Sequence, residues 1–228
     1  MQAPFAVAID GPAGSGKSTT ARQVAKILGF TYIDTGAMYR TVALHNTQIG
    51  TDLHNQAAIA ATLSQIDITL KGRNVYLNGQ DVTAQIRTQA ISDATSIIAA
   101  CPAVRIFLAQ KQKQIAQAGN TVMDGRDIGS HVLPWAQVKV YLDAAPEVRA
   151  TRRANELAAK GQPADFGKIL AEIKERDRRD TSRDHSPLIR TADAEYIDTG
   201  QLSIEETVDK IIALVNSHKN PQGGNNVL

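Results

Sequence analysis

The sequence contains little cysteine, few aromatic residues and no long apolar run. Cys101 is the single cysteine among 228 residues, and Phe, Trp and Tyr together make up 4%. One cysteine cannot form an intramolecular disulfide, which favours a reducing compartment, so we expect a cytoplasmic protein. No uninterrupted apolar stretch approaches the ~18 residues of a membrane span, and no segment is typical of a signal peptide. We therefore expect no membrane partner.

A large excess of charge of one sign is also missing. The formal net charge is +2 at pH 7. Proteins that bind nucleic acid usually carry a concentrated basic surface or aromatic side chains on which bases stack, so we expect no nucleic-acid partner. A hydrophobic content of 43% over this length predicts one globular unit with a substantial core, and we expect a monomer.

What the sequence does contain is a glycine-rich loop. It follows the apolar run Phe5–Ile9 and precedes a segment of helical character, Thr19–Leu28. The spacing G-x-x-x-x-G-K-S is typical of a loop whose backbone amides cradle phosphates at the start of a helix. Lys17 would reach the outer phosphates, and the Ser18 hydroxyl suits a Mg²⁺ ligand. The residues predicted to bind ATP are Gly11, Pro12, Ala13, Gly14, Ser15, Gly16, Lys17, Ser18 and Thr19.

A polar cluster follows the next predicted strand, Tyr32–Ile33. Asp34 and Thr35 lie at the end of this strand, where ligands collect in open parallel sheets. Arg40 comes about one turn into the following helix and is placed to grip a second anion. The alternative interpretation is that Asp34 or Thr35 only caps that helix.

A second cluster lies in the stretch NTVMDGRDIG, residues 120–129, where a short apolar strand ends in charge and glycine. Asp124 is a candidate for orienting Mg²⁺-bound water, so the predicted metal residues are Ser18 directly and Asp124 through water. Arg126 and Asp127 would point into the same crevice. A polar surface turn of similar composition is the alternative.

Two further segments differ in their pattern of apolar and polar residues from the rest of the chain. In residues 55–87 a short helix precedes residues that alternate at strand period before the turn signal Asn78–Gly79, and Val82 and Ile86 continue a third strand. This pattern predicts a small inserted antiparallel β unit. Residues 146–190 form two polar helices that are broken at Gly161–Pro163. Their arginines are compatible with a mobile flap over phosphates, and equally with a solvated helix face whose charges pair with one another.

The alternation of strands and helices around a phosphate loop predicts an α/β fold of the P-loop nucleoside triphosphate hydrolase type. We expect a parallel five-stranded sheet flanked by helices, the small antiparallel β unit and a helical lid. A switch-type GTPase would carry an Asn-Lys-x-Asp guanine reader, which is absent, so a small phosphotransferase with a second anion site remains. The core is assigned to residues 1–54, 88–145 and 191–215, the insert to 55–87, the lid to 146–190 and a disordered tail to 216–228.

Five motifs in order carry a family resemblance from about Phe5 to Leu214. The phosphate loop, DTGAMYR at 34–40, IRTQ at 86–89, DGRDIG at 124–129 and EIKERD at 172–177 are similar to those of bacterial-type cytidylate kinases. The resemblance implies transfer of the terminal phosphoryl group of ATP to CMP or dCMP, with Mg²⁺. It also implies that the insert, which could extend to about residue 105, binds the nucleoside monophosphate.

The resemblance also assigns individual residues to the two nucleotides. It places the CMP phosphate, sugar and base against Thr35, Arg40, Ser96, Arg105, Arg126, Asp127, Asp180 and Arg183. It puts Arg152, Arg153 and Arg176 in the lid. The predicted catalytic set is Lys17, Arg126, Arg152, Arg153, Arg176 and Arg183.

The chemistry follows from the charge of the reactants. The acceptor is a phosphate monoester with a second pKa of about 6, so it is already mostly dianionic near neutral pH and needs no general base. Two polyanions repel each other, so the enzyme must neutralise and align them. A carboxylate accepts from the exocyclic amine of cytosine, and Asp127 is the candidate, with Arg105 and Ser96 assisting. CMP and dCMP are therefore expected over UMP.

Two rival functions stay open at this point. The chain could phosphorylate another nucleoside monophosphate or a different small acceptor. It could also be a nucleotide-dependent regulatory module whose arginines grip RNA, which would make RNA binding sensitive to salt.

Overall fold

The computed structural model describes residues 4–219, and the chain divides into two compact units. The first comprises Met1–Tyr32 and Gly119–Leu228, and the second Ile33–Ala118. In chain order the helices and strands are β1 (Ala6–Asp10), α1 (Lys17–Leu28), β2 (Thr31–Asp34), α2 (Thr35–Gln48), α3 (Gln56–Thr62), β3 (Ile68–Lys71), β4 (Asn74–Leu77), β5 (Gln80–Asp81), α4 (Gln89–Ile98), α5 (Pro102–Gln117), β6 (Thr121–Gly125), β7 (Val138–Asp143), α6 (Pro146–Ala159), α7 (Phe166–Ser182), β8 (Glu195–Asp198) and α8 (Ile204–Lys219).

The main sheet has five strands in the order β2-β6-β1-β7-β8. β1 pairs in parallel with both β6 and β7, and β7 pairs in parallel with β8. β1 is buried along its whole length, which its apolar sequence explains, because a central parallel strand is covered on both faces. Asp10 of β1 is in register with Gly125 of β6 and with Tyr141 of β7, so these strands end at one edge. The predicted parallel α/β fold is confirmed.

The core of the first unit lies between the sheet and the helices α1 and α8. Val7, Ile9 and Val140 of the strands are buried with Val24 of α1 and Ile211 of α8. Burial of such side chains stabilises the folded state by roughly 1.5–3 kcal/mol each. This packing holds the loop between β1 and α1 on a rigid base.

The last helix begins with the predicted capping box. The Ser203 amide donates to Glu206 Oε2 at 2.8 Å, and the Glu206 amide donates to Ser203 Oγ at 3.1 Å. The helix continues to Lys219, so residues 216–219, which we assigned to the tail, are helical. The rest of the expected tail, 220–228, lies outside the described residues.

The second unit carries the predicted antiparallel β unit, in the order β3-β4-β5. Asn78 and Gly79 have φ of 49° and 82°, the left-handed pair that a tight hairpin turn requires, so this turn signal is confirmed. The third strand is only Gln80–Asp81. Val82 and Ile86, which we expected to continue it, are buried in the core of this unit instead.

The helices α4 and α5 follow each other closely in the second unit. Cys101 is buried directly before Pro102, the first residue of α5, as expected for a thiol at a helix end. Within residues 4–219 no single helix is long and apolar enough to cross a membrane. α4 and α5, bent by 101°, meet that requirement only as a pair and only by length and composition.

Candidate active site

The loop between β1 and α1 depends on glycine at its first position. Gly11 has φ of 146°, and a Cβ built there would lie 1.9 Å from the carbonyl oxygen of Leu142 in β7. Glycine alone tolerates this backbone and this approach. Gly16 has φ of 88° and is the residue before α1, so the helix starts directly at Lys17.

Replacing Gly11 by alanine should destabilise the fold. We expect a loss of at least about 2 kcal/mol in the free energy of unfolding, because a methyl group clashes with backbone that cannot move aside and the φ is strained. Urea denaturation measures it. Gly119→Ala is the matched control, since no atom lies within 4 Å of a Cβ there and its φ is not in the left-handed range. Equal stability of the two variants would contradict the prediction.

Lys17 is held inside the loop that precedes it. Its side chain is 5% exposed, and Nζ donates to the carbonyl oxygen of Pro12 at 2.5 Å and to Ser15 Oγ at 3.3 Å. Burial is the main cause that lowers the pKa of Lys17 well below its ordinary value, and Arg126 lowers it further, while nearby carboxylates oppose the shift. Lys17 therefore lies within electrostatic reach of Arg126.

The two predicted metal residues contact each other. Ser18 Oγ donates to Asp124 Oδ2 at 2.7 Å, and the Tyr32 hydroxyl donates to Asp124 Oδ1 at 2.9 Å. This oxygen pair at the end of β6 fits Mg²⁺, which prefers hard oxygen ligands and takes few of them from the protein. Across residues 4–219 no group of three or more His, Cys, Asp and Glu side chains is placed to hold a metal ion. Sequence reasoning missed Tyr32, whose hydroxyl orients Asp124.

Asp180 interacts with arginines that the sequence analysis assigned to the acceptor site and to the lid. Arg126 Nε donates to Asp180 Oδ2 at 2.8 Å, and Arg183 Nη1 lies 3.4 Å from Oδ1. Burial alone would raise the pKa of Asp180, but Arg126, Arg176 and Arg183 outweigh burial and hold that pKa below its ordinary value. We call Arg126, Arg176, Asp180 and Arg183 the guanidinium cluster.

The other two predicted lid arginines have separate partners. Arg152 Nη2 donates to the Thr199 carbonyl oxygen at 2.6 Å, and its Nη1 donates to Thr199 Oγ1 at 3.2 Å. Thr199 Oγ1 in turn lies 3.1 Å from the carbonyl oxygen of Ser15 in the loop. Arg153 pairs with Glu156 at 3.2 Å on the exposed side of α6. Of the three lid arginines, Arg176 is one of the charges that lower the pKa of Asp180.

Arg149 is a residue of this region that sequence reasoning did not single out. It is 3% exposed, and its Nη1 and Nη2 donate to both oxygens of Asp177 at 3.0 and 2.6 Å. Its Nε donates to the Ala144 carbonyl oxygen at 2.8 Å, and Nη1 also donates to that of Ala13 at 3.1 Å. Arg149 thereby links the phosphate loop to both helices of the predicted lid. A faint sequence signal was its neighbour Ala150, which marks the buried face of α6.

The predicted acceptor residues of the second unit begin at α2. Asp34 caps this helix, accepting from the Ala37 amide at 2.7 Å. Arg40 Nη2 donates to the two oxygens of Asp34 at 3.2 and 3.1 Å. Its buried Nε has no hydrogen-bond partner within the described part of the chain. Thr35, the first residue of α2, is buried.

Ser96 and Arg105 lie on α4 and α5 of the same unit. Ser96 is half-buried. Arg105 is buried, donates from Nη1 to the Ala99 carbonyl oxygen at 3.2 Å, and lies 5.6 Å from the centre of the Tyr39 ring. The eight predicted CMP residues thus divide equally, with Thr35, Arg40, Ser96 and Arg105 in the second unit and Arg126, Asp127, Asp180 and Arg183 in the first.

Comparisons with known proteins match almost the whole chain. The family model described as cytidylate kinase matches residues 7–217. A cytidylate kinase of Pelotomaculum thermopropionicum is 48% identical over 216 residues, covering 92% of this chain and 96% of that protein. One from Geobacillus kaustophilus is 46% identical over 220 residues, covering 95% and 98%. Among solved structures, an uncharacterized protein from Eubacterium ventriosum gives a TM-score of 0.51 at 13% identity, covering 94% and 99%, which concerns the fold alone.

Proposed function

The chain belongs to the cytidylate kinase family, and from this premise we propose that it transfers the terminal phosphoryl group of ATP to CMP or dCMP. The products are ADP and CDP or dCDP. An oxygen of the acceptor phosphate forms a bond to the γ-phosphorus while the bond from that phosphorus to the leaving ADP oxygen breaks. The acceptor is already mostly dianionic at neutral pH, so no protein base has to take a proton.

The observation that supports this reaction best is the proximity of two cationic systems in the first unit. Lys17 of the phosphate loop lies within electrostatic reach of Arg126, which is bound to Asp180. Phosphoryl transfer between two anions needs positive charge on the donor, the acceptor and the group between them. Lys17 supplies it on the donor side, and we assign Arg126 and Arg183 to the acceptor phosphate.

The donor nucleotide would be held by the loop of residues 11–19. The loop amides and the start of α1 bind its phosphates, and Lys17 leaves the Pro12 carbonyl oxygen to contact the outer ones. Ser18 would hold Mg²⁺ directly and Asp124 would hold it through water, since both are already paired through oxygen. When bound, this ion neutralises phosphate charge.

We assign the acceptor nucleotide to the residues that the family resemblance implies. In the first unit we assign Arg126, Asp127, Asp180 and Arg183 to it, and in the second Thr35, Arg40, Ser96 and Arg105. Arg40 would exchange part of its pairing with Asp34 for the acceptor phosphate, and its buried Nε, which lacks a partner among residues 4–219, offers a further donor. Asp180 would accept from the sugar while it keeps the arginines in place.

The choice of base would follow from the polarity of hydrogen bonds. Asp127 accepts from the exocyclic amine of cytosine, and Arg105 and Ser96 serve its acceptor edge. Uracil presents a carbonyl oxygen where cytosine has the amine, so it would leave Asp127 unpaired in a buried site. An unpaired buried polar group costs about 1–3 kcal/mol.

We further propose that residues 55–87, and up to about 105, close on the acceptor and that 146–190 close on the donor. Arg152, Arg153 and Arg176 would then meet charge on the transferring group, and closure would exclude water as a competing acceptor. We infer a cytoplasmic monomer that acts on these small nucleotides alone.

A panel of acceptors tests the proposed function. With ATP and Mg²⁺ present, we expect ADP release with CMP and dCMP, and a kcat/KM at least about tenfold lower with UMP, because of the lost bond to Asp127. Reactions without acceptor measure the ATPase background. Equal use of UMP and CMP would refute the role of Asp127. Faster turnover of another small acceptor, or salt-sensitive RNA binding without acceptor-dependent ADP release, would refute the proposed function.

A further inference from the structure

Asp10, the last residue of β1, is a buried carboxylate that the proposed reaction does not use. It is 6% exposed and directly precedes the phosphate loop. Its Oδ1 accepts from the Ile128 amide at 2.9 Å, and its Oδ2 accepts from the Gly129 amide at 2.7 Å. Both amides lie in the segment after β6, more than a hundred residues away in sequence. Asp10 therefore contacts the loop that carries Arg126 and Asp127.

The contacts of Asp10 replace a missing local cap. Residues 128–132 form one π-helical turn, and Asp127 precedes it without a capping bond from its own side chain. The first amides of a helical turn have no partner within it, and a carboxylate can satisfy them. The Asp127 carbonyl oxygen accepts from the amides of His131 and Val132 at 2.9 and 3.1 Å. The backbone that directly follows Asp127 is thereby fixed, by the turn and by Asp10.

Gly129 lies directly against the side chains of Asp10 and Lys139. A Cβ there would lie 3.2 Å from Cδ of Lys139, which would have to shift, and 3.4 Å from Asp10 Oδ2, so a side chain that extends beyond Cβ would reach the carboxylate. Asp127, Lys17 and Arg126 are among the charged groups that act on Asp10. Burial raises the pKa of Asp10 to about 7, although the two amide bonds and Lys17 act against the shift. The two hydrogen bonds therefore offset part of the cost of burying this charge.

We propose that Asp10 is a positioning residue for the acceptor nucleotide, because its two hydrogen bonds fix the backbone on which Arg126 and Asp127 meet the phosphate and the base. This inference rests on the proposed function, since it takes Asp127 as the group that reads cytosine. Asp10 itself does not touch either nucleotide. Its removal changes how well CMP is bound and distinguished from UMP.

Asp10→Asn tests the inference with a side chain of the same shape. The amide offers one acceptor oxygen in place of two, and its NH₂ group faces a backbone N–H. We expect KM for CMP to rise about tenfold, KM for ATP to change by less than about threefold, and the preference for CMP over UMP to fall about tenfold. A merely structural role would lower both nucleotide affinities and stability together, without changing base preference.

Gly129→Val tests the same contact from the other partner, because its branches extend beyond a Cβ that already lies 3.4 Å from Asp10 Oδ2, and it keeps the charge of Asp10 near Lys17. We expect the same selective rise in KM for CMP, and this variant decides the matter if Asp10→Asn fails to fold. Asp209→Asn is the matched control, because it makes the same substitution at an exposed aspartate on α8. We expect the control to behave as wild type.

The outcomes separate this inference from the function on which it rests. If the wild-type protein does not phosphorylate CMP, the proposed function fails. If it does, but the folded variant of Asp10 or Gly129 keeps the wild-type KM for CMP and preference over UMP, the inference on Asp10 fails. An equal rise in KM for ATP and CMP also overturns it.

Discussion

Replacing Lys17 by alanine should lower kcat for phosphoryl transfer by about 100- to 1,000-fold, the usual cost of removing one preorganised donor of positive charge. The ammonium group is buried within the loop that would hold the outer phosphates, where it donates to the Pro12 carbonyl oxygen. Stability should not fall with activity. Burial lowers the pKa of Lys17, so the fold disfavours its charged form, and its removal relieves that cost.

A coupled assay of ADP release and urea denaturation together test this first prediction. Lys26→Ala is the matched control, since Lys26 is an exposed lysine on the same helix. We expect wild-type turnover from it. A Lys17→Ala variant that is folded and keeps more than about a tenth of the wild-type kcat would show that the loop lysine does not carry the reaction.

Replacing Arg126 by alanine should lower kcat/KM for CMP by about 1,000-fold and also destabilise the fold. Arg126 is assigned to the acceptor phosphate, and an arginine that meets transferring charge is worth about this factor. It is also the partner of Asp180, a carboxylate that is 8% exposed. Without Arg126, Asp180 keeps Arg183 at 3.4 Å but loses its shorter ion pair, and breaking a buried pair costs up to about 3 kcal/mol. One substitution thus lowers both the rate of phosphoryl transfer and the stability of the fold.

The pH dependence of the free energy of unfolding identifies why Arg126→Ala is less stable. Arg126 is a leading cause that keeps the pKa of Asp180 below its ordinary value, against burial, which raises it. A lowered carboxylate pKa contributes stability at neutral pH that is lost as pH falls through the folded pKa. The deficit in the free energy of unfolding of Arg126→Ala relative to wild type should therefore be largest near pH 7 and shrink as the pH falls below about 4, towards the lowered pKa of Asp180 in the folded wild type.

A double variant separates stability from activity. The double variant Arg126→Ala/Asp180→Ala also removes the Asp180 carboxylate, which has lost its closest ion-pair partner. We therefore expect part of the lost stability to return while kcat/KM for CMP stays low. Arg178→Ala is the matched control, since Arg178 is an exposed arginine on α7 that pairs with Glu175. Recovery of activity in the double variant, or a loss from Arg178→Ala as large as that from Arg126→Ala, would contradict the assignment.

Sequence reasoning succeeded where the signal was local. The spacing of glycines and Lys17 predicts the loop, Asn78–Gly79 predicts the hairpin, and Ser203 with Glu206 predicts a capping box. Each depends on backbone angles or hydrogen bonds within a few residues, so residue types and spacing are sufficient. The strands that alternate with helices likewise predict a parallel sheet.

Sequence reasoning could not rank the arginines of α6. Arg149, Arg152 and Arg153 have the same chemistry within a few residues of one another. In the structure Arg149 forms a bidentate pair with Asp177, Arg152 donates to Thr199, and Arg153 pairs with the exposed Glu156. Which of them is buried depends on what packs against each face of the helix. Their spacing along the chain carries no such information.

From the sequence alone came the fold class, the phosphate loop and the family resemblance, because short spacings determine local backbone geometry and the order of elements. The tertiary structure alone decided which charges meet. Ser18 binds Asp124 across 106 positions and Asp10 binds the Ile128 amide across 118, because parallel pairing of β1 with β6 brings distant strand ends to one edge. A polar or charged side chain that is buried at that edge needs a hydrogen-bond or ion-pair partner, and the folded chain determines which partner is within reach.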